Sequence, residues 1–142
     1  MTQIQQTQPA QSRPAQSQPP TILVADDEQD IRELVAYRLS RCGYTIIEAR
    51  DGQEAFELAV DHAPDMAVLD VMMPRLNGFD LTDRLRHTPA TQRLPILLMS
   101  ASVQEVDISR GFAAGADGYL TKPFTPDQLL TRVRDVLSRG AA

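Results

Sequence analysis

The chain has 142 residues, 14 of them Lys or Arg and 19 Asp or Glu, for a formal charge of −5. That length suits one domain, and the acidic balance with no Lys/Arg cluster argues against a surface built to neutralise nucleic-acid phosphates. No apolar run approaches the ~20 residues needed to span a bilayer, no secretory signal opens the chain, and the single cysteine, Cys42, has no intrachain partner, so a cytoplasmic chain with neither membrane nor direct nucleic-acid contact is expected.

Residues 1–20 are almost all Gln, Pro, Ser, Ala and Thr, with Arg13 the sole charge. Such a segment has too little apolar surface to offset its ordering entropy, so a disordered leader is expected there and a folded domain over 21–142. From Thr21 onward, short apolar runs alternate with amphipathic stretches. Ile22 to Ala25, Thr45 to Ile47, Met66 to Leu69, Ile96 to Met99 and a weaker Tyr119-Leu120 are too short for helices and read as buried strands.

Between the runs lie helical patterns. Ile31, Leu34, Val35, Leu39 and Cys42 form the first stripe, with Cys42 expected in the core and Gly43 placed to end the helix. Asp51 to Glu54 resembles a capping box for the second helix, Gly78 to Arg86 reads as the third, and Ser102 to Glu105 offers a capping box for the fourth. Thr125-Pro126-Asp127-Gln128 opens the fifth, with a hydroxyl cap and proline at the first helical position. Alternating strands and helices imply a parallel sheet covered on both faces by right-handed crossovers. In such sheets ligands bind beyond the carboxyl ends of the strands.

Those ends carry Asp26 and Asp27, Asp70, Ser100 and Lys122. Singly, each has a plain explanation: acids ahead of a helix favour its dipole, a carboxylate caps a loop, a serine makes a turn, a lysine is solvated. Together they converge on one rim. Two carboxylates 4 Å apart at an effective dielectric of 20 repel by about 4 kcal/mol, so a cation is required. Oxygen ligands favour Mg²⁺. Carboxylates, metal, lysine and hydroxyl are what phosphoryl transfer needs for positioning and charge neutralisation, and Asp70 is the natural nucleophile.

The stretches LVADDE, VLDVMMPRLNG, LLMSA and GADGYLTKPF, in that order, resemble the response-regulator receiver family of two-component signalling, in its chemotaxis-regulator-like form, over residues 21–139. The resemblance implies an α/β fold, flavodoxin-like and doubly wound, with a five-stranded parallel sheet of order 2-1-3-4-5 and five helices. It implies that Asp27, Asp70 and the Met72 carbonyl bind Mg²⁺, with Asp26 acting through water. Asp70 would accept a phosphoryl group from a sensor histidine kinase or phosphotransfer protein, and Lys122, Ser100 and the backbone N–H groups of Ala101 and Met72 would hold the phosphate oxygens. Tyr119 would be the aromatic switch, turning inward as Ser100 moves, and the Lys122-Pro123 bond would be cis. The chain would catalyse only its own phosphorylation and dephosphorylation. The signal would reach a downstream protein through the face of helix 4, strand 5 and helix 5. Gly118 and Gln128 stand where winged-helix-linked receivers carry acids, so the dimer of those proteins is not expected, although Arg132 and Arg139 are present.

A haloacid-dehalogenase-type phosphatase would need a carboxylate at Met72, and a P-loop hydrolase would need a G-x-x-x-x-G-K-[ST] run that is absent from the sequence. A degenerate receiver that binds partners without phosphate would not need the acids, hydroxyl and lysine that this chain retains. His62 and His87 fall in separate stretches and are expected at the surface, as are Arg84, Arg86 and Arg93. Only Gly140, Ala141 and Ala142 follow Arg139, which leaves a stand-alone regulator and a piece of a longer one both open.

Overall fold

The computed structural model describes residues 18–141. In chain order its elements are β1 (Thr21–Ala25), α1 (Gln29–Arg41), β2 (Thr45–Ala49), α2 (Gly52–His62), β3 (Met66–Asp70), α3 (Gly78–Arg86), β4 (Ile96–Ser100), α4 (Glu105–Ala114), β5 (Gly118–Thr121) and α5 (Pro126–Ala141). The strands pair in parallel in the order β2-β1-β3-β4-β5, the flavodoxin-like arrangement that the resemblance implies. Most of the expected leader lies outside the described residues. Its last residue, Pro20, accepts a hydrogen bond from the Thr45 N–H at 2.9 Å, so ordered sheet contacts begin just ahead of Thr21.

The three central strands are continuous apolar runs because both of their faces are covered. Alternate side chains divide into two cores. Leu23, Ala25, Ala67, Leu69, Ile96 and Leu98 meet Ala55 and Ala59 of α2 and Phe79, Leu81 and Leu85 of α3. Ile22, Val24, Met66, Val68, Leu97 and Met99 meet Val35 and Leu39 of α1 and Leu129, Val133 and Val136 of α5.

Local chemistry sets the helix ends. Asp51 Oδ1 accepts from the Glu54 N–H at 2.8 Å. In the cap of α5, the Gln128 N–H donates to Thr125 Oγ1 and the Thr125 N–H donates to Gln128 Oε1, a reciprocal box. Three expectations are corrected. Cys42 is exposed, not in the core, because it is the C-cap of α1, beyond the last buried position, Leu39; Gly43 follows with φ +96°. Helix α4 has Gln104 as its N-cap, without a side-chain cap, because the helix begins later than the expected box and leaves Ser102 ahead of the cap position, where its hydroxyl accepts from the Gln104 N–H. Arg86 is not a solvated side chain: it donates to the carbonyls of Gly115 at 2.9 Å and Leu94 at 2.6 Å and pairs with Asp117 at 3.0 Å. Arg84 lies over the Phe56 ring, while Arg93, His62 and His87 are exposed.

Helix α3 begins against the end of β3. A Cβ at Gly78 would stand 2.6 Å from the Asp70 carbonyl oxygen and 2.8 Å from Val71 Cα, and the Gly78 N–H donates to the Val71 carbonyl at 2.9 Å. Backbone cannot retreat as a flexible side chain can, so Gly78→Ala is expected to cost about 1–3 kcal/mol through overpacking. Urea denaturation measures this, and a variant as stable as the parent would contradict the close approach.

Candidate functional site

Because all five strands run parallel, their carboxyl ends lie at one edge of the sheet. Asp26, just past β1, is fully buried, and Asp70, the last residue of β3, is 3% exposed. Asp27 faces solvent. A carboxylate oxygen from each of these three lies within 4.8 Å of the others. Lys122, just past β5, reaches into the group: its Nζ is 3.0 Å from Asp26 Oδ2, 3.0 Å from Asp70 Oδ1 and 3.7 Å from Glu28 Oε1. The Lys122-Pro123 peptide that follows is cis.

The electrostatics follow from this geometry. Burial pushes the Asp70 carboxyl up from 3.8 to about 6, and the negative charges of Asp26 and Asp27 add to the rise, while the hydrogen bond and charge of Lys122 only partly oppose it. Burial disfavours the Lys122 ammonium, but its hydrogen bonds to Asp26 and Asp70 prevail and hold it above the ordinary lysine value. One ammonium facing three carboxylates leaves the rim net negative. The set could therefore hold a metal ion.

Ser100 ends β4, on the strand next to Asp70, and is 4% exposed. Its Oγ accepts from the Ser102 N–H at 3.1 Å, and its carbonyl accepts from the Lys122 N–H at 2.8 Å, which joins the β4 and β5 ends of the rim. Met72 is 73% exposed beyond β3, and Ala101 is exposed beyond β4. The Tyr119 ring lies in the core beside Leu98 and Phe79, and its hydroxyl donates to the Ser102 carbonyl at 3.1 Å, so the ring is turned inward.

The carboxylates and lysine expected to converge do so, and three further residues join them. Arg32, 8% exposed, donates to the Asp26 carbonyl at 3.0 Å and pairs with Glu48 at 3.1 Å, fixing the end of β1. The Glu28 N–H donates to Asp26 Oδ1 at 2.9 Å, which orients that carboxylate. Ser102 joins Ser100 to α4. For Arg32 the signal in the sequence is its position three residues ahead of Val35 on the buried stripe of α1.

A doubly wound domain with acids and a lysine gathered at its strand ends defines a class of phosphate-handling signalling domains. The model of the response regulator receiver domain matches residues 22–134, and the chain belongs to that family. It is 41% identical over 119 residues to the phosphate regulon transcriptional regulatory protein PhoB of Pseudomonas aeruginosa, covering 84% of this chain and 52% of that one. With the alkaline phosphatase synthesis transcriptional regulatory protein PhoP of Bacillus subtilis the identity is 45% over 121 residues, covering 84% and 49%. The chain thus spans about half the length of these relatives. Among solved structures, the chemotaxis response regulator CheY4 of Vibrio cholerae superposes with a TM-score of 0.80 at 33% identity, covering 83% of this chain and 98% of that one. The receiver domain of the sensor histidine kinase PA1611 from Pseudomonas aeruginosa, with a magnesium ion in its active site cleft, gives 0.79 at 25% identity, covering 84% and 98%.

The raised Asp70 carboxyl fixes the sign of a pH effect. Its folded value lies above that of an unfolded carboxyl, so the stability it contributes is complete below 3.8 and is lost as the pH rises through about 6. In metal-free buffer at pH 8, Asp70→Asn is expected to be more stable than the parent by about 2–3 kcal/mol, and at pH 3 the two should be nearly equal. Urea denaturation at both pH values with a chelator present checks this, and equal stability at pH 8 would contradict it.

Proposed function

We propose that Asp70 is the phosphoacceptor of a phosphorelay switch. The observation that carries this reading is the approach of Lys122 Nζ to 3.0 Å from both Asp70 and Asp26, with Asp27 completing an all-oxygen cluster. The donors come from a sensor histidine kinase or a phosphotransfer protein. An Asp70 carboxylate oxygen forms a bond to phosphorus as the N–P bond of the phosphohistidine breaks, and the bonding pair returns to the imidazole nitrogen, which takes up a proton. The rim's own groups orient the reactants: Lys122 holds one phosphoryl oxygen, and Ser100 and the N–H groups of Met72 and Ala101 hold others. Catalysis is confined to gaining and losing this one group.

The donor set fits Mg²⁺, since hard oxygen ligands suit it and an exposed Asp27 gives entry. Asp27, Asp70 and the Met72 carbonyl would hold the ion, with Asp26 contributing through water. When bound, Mg²⁺ supplies neutralisation of charge on the transferring oxygens.

Phosphorylation adds charge and acceptor oxygens at the strand ends and favours the conformer that brings donors toward them. Ser100 and Tyr119 then carry the change to α4, β5 and α5, where a downstream protein reads it. On that face Arg132 and Arg139 already donate to the carbonyls of Tyr119 and Asp117, which supports a partner other than a second chain paired through those arginines. Residues 1–20 are read as a leader outside the switch and residues 21–142 as the receiver. A cytoplasmic location and the absence of direct nucleic-acid contact belong to the same reading; among the described residues no helix is long and apolar enough to cross a membrane.

With acetyl phosphate and Mg²⁺, intact-mass spectrometry should record one added phosphoryl group on the parent and none on Asp70→Asn; an unchanged parent mass would refute the reading. Lys122→Ala should retain Mg²⁺ binding but lose the coupling of phosphorylation to Tyr119. NMR shifts of Tyr119 that match the parent's would exclude that role for Lys122.

A further inference from the structure

Helix α4 is held differently at its two ends. Only Gly111 on it is buried, while Val106 and Phe112 are 69% and 47% exposed and Val103, just ahead, is 71% exposed. Its C-terminal end is pinned: Arg86 Nε donates to the Gly115 carbonyl at 2.9 Å, and the same guanidinium pairs with Asp117 at 3.0 Å. Towards its N-terminal end Ile108 packs in part against the core and Arg110 lies over the Phe79 ring, and one residue of the preceding loop, Ser102, ties that end to the strand ends. The Ser102 N–H donates to Ser100 Oγ at 3.1 Å, the Ser102 carbonyl accepts from the Tyr119 hydroxyl at 3.1 Å, and the Ser102 hydroxyl donates to Asp107 Oδ2 at 2.6 Å while accepting from the Gln104 N–H at 3.2 Å.

We propose that Ser102 is the positioning residue that makes the N-terminal end of α4 follow the Ser100 hydroxyl, with its bond to Asp107 as the clasp. The inference rests on Asp70 being the phosphoacceptor and deepens that reading by giving the signal a route. Ser100 Oγ accepts from Ser102 and keeps its own proton free for a phosphoryl oxygen, so the two bonds coexist. When Ser100 shifts toward Asp70, the Ser102 peptide moves with it. The displacement then divides. Its backbone carbonyl carries it to Tyr119, and its side chain carries it to Asp107 in the first turn of α4. The clasp is a short hydrogen bond to a carboxylate, the stronger kind, and the first turn it pulls is otherwise held by Ile108, which is only partly buried against the core. Because α4 is fixed at Gly115, a pull at Asp107 turns the helix about its far end.

The two branches can be separated by substitution, because Asp107 lies outside the phosphoacceptor rim. In the full chain with acetyl phosphate and Mg²⁺, Asp107→Ala should gain the same phosphoryl mass as the parent and show the same Tyr119 NMR shift. Its phosphorylation-dependent amide shifts over residues 105–114 should fall to less than half of the parent's. Asp107→Asn, which keeps an acceptor for the hydroxyl but loses the charge that favours the helix N-terminus, should restore most of them, as should Ser102→Thr in a chain with Asp107 intact. Ser102→Ala cuts the same bond from the other side and should lose them. Helix-wide shifts in Asp107→Ala or Ser102→Ala that equal the parent's would overturn the clasp, as would an Asp107→Asn no better than Asp107→Ala. A parent that gains no mass would overturn the phosphoacceptor reading and the clasp together, whereas a parent that gains mass with α4 shifts unaffected by the substitutions would overturn the clasp alone.

Discussion

Three carboxylates gathered at the ends of parallel strands can coexist only if positive charge is held among them, and Lys122 is the side chain that does this. At 4 Å and an effective dielectric of 20, each repelling pair costs about 4 kcal/mol, a large fraction of the stability of a domain this size. The topology creates the problem, because parallel strands place every carboxyl end at one edge. Local bonds then hold each group in place. Arg32 ties the end of β1 to β2 through the Asp26 carbonyl and Glu48, the Glu28 N–H fixes one oxygen of Asp26, and Gly78 lets α3 seat against the Asp70 backbone. Burial is the main reason that Asp70 resists ionisation, and the negative charges of Asp26 and Asp27, which a single ammonium does not fully offset, add to it.

The same rim meets a rigid part and a loose part of the molecule. β1, β3 and β4 are buried on both faces, and the helices that flank them interlock with two apolar cores. Helix α4 fully buries only Gly111, packs Ile108 in part against the core and leaves Val106 and Phe112 exposed. A perturbation at the strand ends is therefore resisted by the sheet and yields at α4, since regions with few buried apolar contacts open at the lowest free energy. The hydrogen bonds of Ser102 lie on the boundary between the two.

The sheet was legible in the sequence because strands covered on both faces must be apolar at consecutive positions, as Met66 to Leu69 and Ile96 to Met99 are. The rim was legible because topology converts the residue after each strand into a neighbour, so Asp26, Asp70 and Lys122 could be placed together despite their distance in the chain. Polar groups that serve the interior were not legible. Arg86 looked like a surface side chain, yet it satisfies carbonyls at the ends of α4 and of the loop before β4, a need that arises only once those ends meet. Ser102 fitted a local capping pattern, but α4 begins only after Gln104, so the Ser102 hydroxyl lies ahead of the cap position, where it accepts from the Gln104 N–H and donates to Asp107. Cys42 kept the helical spacing of α1, yet spacing does not reveal that the helix ends there and leaves it as an exposed cap.

The central proposition is that the acidic rim is a divalent-cation site whose middle carboxylate ionises when the ion arrives. Isothermal titration calorimetry with Mg²⁺, repeated in buffers of different ionisation heat, measures both halves. The expected result is one ion per chain, with proton release at pH 6, where Asp70 is partly protonated, vanishing by pH 8 and absent from Asp70→Asn. Binding without a proton at pH 6, or binding unchanged in Asp27→Asn and Asp70→Asn, would contradict it.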